Sequence, residues 1–142
     1  MKKIAIAIIY MSFAFIACEK DNPNNAIDTI TDLITSEKWN IESVDIDDVD
    51  HTDLFDGMVL TVFPESYETV KGGYAWLPTD TWEFIDEKGE IILRGDGVEV
   101  QVLQISETQL DLQLYWDLTS YTIGGRTSTL EGDHIFKFLH DK

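Results

Sequence analysis

Val98-Glu99-Val100-Gln101-Val102, carried through Ser106-Glu107-Thr108 into Leu110-Asp111-Leu112-Gln113-Leu114-Tyr115, is the stretch whose reading decides the fold. Side chains alternate across a strand, so the valines and leucines take one face while Glu99, Gln101, Asp111 and Gln113 take the other. The pair reads as two strands with one dry face and one wet face. Upstream, Gly95-Asp96-Gly97 is a tight hairpin signal that joins this pair to Glu90 to Arg94. Before that, Asp86-Glu87-Lys88-Gly89 turns the chain out of Thr79 to Ile85, where Trp82 and Phe84 share a face opposite Thr81 and Glu83.

The same period continues outward in both directions. Lys38 to Ile46 alternates Trp39, Ile41 and Ser43 against Asn40, Glu42 and Val44. Gly57 to Phe63 is a dense β-branched and aromatic run stopped by Pro64, and Ser66 to Lys71 follows it. Towards the C-terminus, Trp116 to Ile123 and Arg126 to His140 form a last pair joined at Gly124-Gly125, with Gly132 as a bulge or bend. Only Ile27, Ile30, Leu33 and Ile34 recur at helical spacing, behind Asn25 as N-cap, which predicts one short amphipathic helix. About eight strands with short turns and no helical crossover imply an all-β domain, an antiparallel up-and-down meander. Closing it into a barrel removes two aggregation-prone edges, and eight strands leave an interior either filled by side chains or able to hold one small ligand. A two-sheet sandwich is the alternative.

The chain has 142 residues with 10 basic and 27 acidic side chains, a formal charge of −17. Such a surface repels a phosphate backbone, which excludes nucleic acid as a partner. With 44% hydrophobic residues it can bury enough apolar surface to fold as one domain. Its single cysteine, Cys18, permits no internal disulfide.

Residues 1–17 have the anatomy of a signal peptide: Lys2 and Lys3, then the uncharged run Ile4 to Ala17. That run covers about 21 Å as a helix, too little for a hydrocarbon core of about 30 Å. It ends at Phe15-Ile16-Ala17-Cys18, followed by Glu19-Lys20-Asp21. This resembles the lipobox of bacterial lipoproteins, which implies that Cys18 becomes the first mature residue. It would carry a diacylglycerol on sulfur and a palmitate-type acyl group on its amine. Two or more acyl chains hold a protein stably to a membrane. The expected location is therefore the cell envelope, lipid-anchored to the outer membrane and facing periplasm or cell surface. Glu19-Lys20-Asp21 is similar to the lysine-plus-acid surface-export signal of one Gram-negative lineage. Residues 18–26 then read as a polar tether, through Asp21-Asn22-Pro23-Asn24-Asn25, and 27–142 as the β domain.

The Lys38-Trp39 strand opening, the Phe- and Tyr-rich hairpin, Thr81-Trp82-Glu83-Phe84 and the repeated Leu-x-Leu strands resemble the small lipocalin-like lipoproteins of Gram-negative bacteria. Glu37-Lys38-Trp39 stands where lipocalins carry Gly-x-Trp. The resemblance implies a small apolar or amphipathic ligand inside the barrel. Its lining would come from Trp39, Trp82, Phe84, Val100, Leu112 and Phe136, around a closed cavity of several hundred cubic ångströms. The residues alone leave open a solid-cored accessory or scaffold domain that meets a protein partner. For that role the candidate contact loop is Gly72 to Pro78, whose Tyr74 and Trp76 either fold back over the interior as a lid or meet something outside.

Other chemistry is thinly represented. Asp45, Asp47 and Asp50 head a dense acidic stretch that continues through Asp48, Asp53 and Asp56, of the kind that can ligate Ca²⁺. It lacks the glycine and terminal glutamate of an EF-hand, and reads as a solvated loop kept extended by self-repulsion. His51 lies within it as a surface imidazole. His134 and His140 flank Phe136 and Phe138 on one strand face, about 20 Å apart, and read as strand-end residues. No Gly-x-Ser-x-Gly elbow is present, and no cofactor, metal or enzymatic activity is expected.

Overall fold

Pro23 opens the helix α1 (Pro23–Ile34), the position at which a proline's fixed φ suits the first turn. The helix starts ahead of the predicted Asn25 cap, so residues 23–26 of the expected tether are helical. Its last turn tightens, with the Thr35 amide and hydroxyl bonding Thr31 O and the Ser36 amide bonding Leu33 O. The Trp39 indole N–H donates to Ile34 O at 2.9 Å, satisfying a carbonyl that the helix end would leave unpaired.

The structure, a computed structural model, describes residues 23–117 and 130–140. The expected signal peptide, Cys18, the first tether residues and the predicted turn at Gly124-Gly125 lie outside the described residues. Nine strands follow α1: β1 (Lys38–Ile46), β2 (Val49–Asp50), β3 (Val59–Val62), β4 (Ser66–Val70), β5 (Thr79–Phe84), β6 (Ile91–Arg94), β7 (Glu99–Ile105), β8 (Gln109–Trp116) and β9 (Gly132–His140). Each pairs antiparallel with its neighbour in the order β2-β1-β3-β4-β5-β6-β7-β8-β9, and β9 returns to β1 from Trp39↔His140 to Ile46↔His134. The expected meander is thus closed into an eight-stranded barrel with β2 as an addition, and the sandwich alternative falls.

Two bulges break the simple alternation. One between Ile41 and Ser43 resets β1 against β9, so Val44 and Ile46 turn inward with Trp39 rather than opposite it. Another between Val102 and Gln104 pushes Leu103 outward, where it is exposed. Trp116, expected to open a strand to Ile123, ends β8 and pairs with Gly132, and residues 118–123 of that expected strand lie outside the described residues.

The acidic stretch departs most from expectation. Asp47 and Asp48, at φ 49° and 65°, make a two-residue hairpin between β1 and β2, the left-handed pair that such tight turns require and that aspartate tolerates. A 3-10 turn, Thr52–Phe55, then folds back and buries Phe55 and Met58. Burial of these two apolar side chains outweighs the repulsion among the aspartates, and the loop is compact rather than extended.

Strand direction places α1 at one end of the barrel, beneath the β5–β6 turn, where Gly89 leaves room for Ile30. The β1–β3 loop, the β4–β5 loop and the β6–β7 turn gather at the other end. Between them Trp39, Phe136, Phe138, Leu112 and Leu114 fill the barrel.

Candidate functional site

The barrel end opposite α1 is stoppered by three aromatic side chains from two loops. Phe55, on the 3-10 turn, meets Phe136 edge-on at 5.0 Å and Tyr74 at 5.5 Å. Tyr74 and Trp76 come from the β4–β5 loop, which is pinned at its base by Thr69. The Thr69 amide bonds Pro78 O at 2.9 Å and its hydroxyl bonds Leu77 O at 2.8 Å. Gly73, at φ +61°, lies flat against the Phe55 ring where a Cβ would press on it. The Trp76 ring packs edge-on to Tyr67 at 5.5 Å and to Phe136 at 5.7 Å, and is 4% exposed. Of the two fates expected for this loop, the structure adopts the lid. Trp76 is buried and is not an external contact, while Tyr74 is half-buried.

Under the lid sits Arg94, a residue that the strand reading did not single out. It points inward, in phase with Ile92, and is 2% exposed. Its guanidinium bonds Ala75 O through Nη1 at 2.7 Å, pairs with both Asp96 oxygens through Nε and Nη2, and lies 4.8 Å from the Trp76 ring centroid. A buried charge requires such pairing, and one cation here fixes lid, β6 and the β6–β7 turn together. Asp80 completes the support by accepting from the Asp96 amide at 2.9 Å. The Tyr67 hydroxyl and the Trp76 indole N–H are buried without a hydrogen-bond partner among the described residues, and burial pushes the Tyr67 hydroxyl up to about 12 against the pull of Arg94.

His134 is the second residue whose place differs from expectation. It is fully buried beneath the lid rather than sitting at a strand end in water. Nδ1 lies 2.9 Å from Gly132 O and Nε2 lies 2.7 Å from the Tyr74 hydroxyl. A carbonyl only accepts, so Nδ1 carries the proton and Nε2 accepts from Tyr74. Burial holds the imidazole below its usual 6.5, partly offset by the bond to Gly132 and by Asp47. His140, at the far end of the strand, stands edge-on to Trp39 at 5.7 Å.

The space left inside is small. A cavity of about 20 Å³ lies among Ile34, Leu60, Tyr67, Trp76, Arg94 and their neighbours, room for about one water. Of the six predicted lining residues Trp82, Val100 and Leu112 face it, whereas Trp39, Phe84 and Phe136 do not. Trp39 and Phe136 are solid core, and Phe84 is a half-buried partner of Trp82 at 5.1 Å. The Trp82 indole is itself committed, donating to Phe63 O at 2.7 Å and Ser66 O at 3.1 Å. The expected cavity of several hundred cubic ångströms is absent among the described residues because Trp76 and Phe55 occupy that volume.

The candidate calcium residues are dispersed to separate tasks. Asp45 pairs with Lys137 at 3.5 Å, Asp47 accepts from the Asp133 amide at 3.0 Å, and Asp50 takes both the amide and hydroxyl of Thr52. Those Thr52 bonds hold the Asp50 carboxyl below its ordinary value. Among the described residues no three His, Cys, Asp or Glu side chains are grouped so as to hold a metal ion. On the stoppered end Asp47, Asp48, Asp53 and Asp56 are exposed, as are the large apolar side chains of Val49 and Leu77. No helix among the described residues is long and apolar enough to cross a membrane. The chain matches no protein family, no curated protein and no solved structure.

Proposed function

We propose that this chain is an acylated envelope lipoprotein, attached through Cys18, whose lipocalin-like barrel is a solid domain that acts through its outer surface. The observation that carries this reading is the filled interior: about 20 Å³ of internal space, against the several hundred that a small-molecule site needs. The lipobox-like Phe15-Ile16-Ala17-Cys18 supports the anchor. Anchored there, the barrel would have its α1 end towards the membrane, because α1 follows the tether directly. The stoppered end would then point away from the bilayer, with its acidic rim and the exposed Val49 and Leu77 as the face for a basic protein partner.

Native mass spectrometry of protein purified from membranes tests this reading. The expected mass is that of the polypeptide from Cys18 plus its acyl groups, with nothing further bound. A stoichiometric small molecule that leaves on denaturation overturns the solid-core reading in favour of a ligand carrier. Labelled palmitate entering the wild type but not Cys18→Ser is the expected result for the anchor, and equal labelling of both overturns it.

A further inference from the structure

We propose that His134 and Tyr74 form a pH-operated latch, so that mild acid releases the Gly72–Trp76 segment from the barrel mouth while the barrel wall stays intact. The latch is one hydrogen bond with a fixed direction. Tyr74 donates to Nε2 because Nδ1 is committed as donor to Gly132 O at 2.9 Å. A proton arriving from solvent can attach only at Nε2, the nitrogen that accepts from Tyr74. Once Nε2 carries a hydrogen it cannot receive the tyrosine proton, and two donors face each other across 2.7 Å.

The surroundings decide how the molecule relieves that conflict. The imidazole is fully buried, with the rings of Phe55, Tyr74 and Phe136 at 6.5, 5.7 and 6.1 Å from it. A cation enclosed by these rings lacks the solvation that water would give it. The titratable groups around it come from each packed element. Asp47 in the β1–β2 turn and Asp133 on its own strand favour the charge, and His51 before the 3-10 turn opposes it. Tyr74 on the lid loop remains neutral, its hydroxyl held above 10 by burial. On β8 the paired residue is the apolar Leu114. The net balance keeps the ring neutral at pH 7. Moving Tyr74 aside relieves the clash of donors at Nε2. Tyr74 sits on a loop with few backbone bonds of its own, of which the Trp76 amide to Gly72 O is the longest at 3.2 Å.

Amide hydrogen exchange by NMR on the full mature domain, from pH 7 to pH 5, tests the latch when expressed as protection relative to the unstructured chain. The reporters are the Trp76 amide on the lid and the Leu60 and Tyr67 amides in the wall. The expected result is loss of protection at Trp76 below pH 6.5, with Leu60 and Tyr67 unchanged and the His134 ring nitrogens shifting over the same range. In Tyr74→Phe the bond is missing at every pH, so protection at Trp76 is low throughout and loses its pH dependence. Parallel loss of protection in lid and wall overturns the proposal. So does a His134 ring that stays neutral down to pH 5, or a Tyr74→Phe protein whose Trp76 amide responds to acid as the wild type does. His134→Gln, which cannot titrate, gives the same flat response if it folds, and the Tyr74→Phe result stands alone if it does not.

Discussion

Arg94 and Asp96 sit two residues apart across the β6–β7 turn, and their environments are unequal: the arginine side chain is 1% exposed and the aspartate 22%. Removing one partner of a buried pair is costly in proportion to how completely the other is stranded. Asp96→Ala leaves a guanidinium inside the barrel and is expected to cost about 3 kcal/mol in urea unfolding. Arg94→Met leaves a carboxylate that still reaches water and should cost distinctly less. The opposite order would show that the lid is held by something other than this pair. Inward parity for Arg94 was legible, since it is in phase with Ile92, and so was that of His134, in phase with Phe136 and Phe138. Their partners were not. Ala75 O and the Tyr74 hydroxyl are supplied by a loop whose path depends on Gly73 lying against Phe55, and alternation along a strand carries no information about that path.

Strand extents follow the apolar runs closely: β1 spans Lys38 to Ile46 as expected, although its bulge reverses the facing of its second half, and β4 and β5 differ by a residue at one end. Bulges escaped the reading because one extra residue changes parity without changing composition, and the hairpin and 3-10 turn escaped because charge density masked the apolar Leu54, Phe55 and Met58. Gly132, at φ +138°, starts β9 at a point where a Cβ would collide with the Asp47 carboxylate. Gly132→Ala is therefore expected to cost more than about 1 kcal/mol by chemical denaturation, and a neutral result would mean that the β1–β2 turn yields freely. The β5–β6 turn is organised by Asp86, which accepts from the amides of Ile91, Glu90 and Lys88 at 2.8 to 3.2 Å. Burial raises its carboxyl, but these bonds together outweigh that and hold it below 3.8. Because its folded value is depressed, its contribution is complete above 3.8 and is lost as pH falls through the folded value. Asp86→Ala should lose about 1 kcal/mol at pH 7. In paired thermal melts the gap from wild type should close only below pH 3.8; a gap already closed at pH 5 contradicts this.

A barrel with its mouth stoppered from within behaves as a solid body, and the volume of Trp76 is what makes it one. Trp76→Ala is expected to cost about 3–5 kcal/mol and to leave an apolar void beside Tyr67 and Phe136. A naphthylamine probe should then fluoresce with the variant and stay dark with the wild type; bright wild-type protein would mean that the interior is already open. The wall itself has a consequence in time. β1 is bonded along most of its length to β9, from Trp39↔His140 to Ile46↔His134, so the first strand to leave the ribosome has its main partner in the last. Neighbouring hairpins can zip as they emerge, but the seam waits for the end of synthesis, and such distant pairing slows folding. Until that seam closes, an unsealed sheet with two bare edges is what any holding chaperone would have to cover.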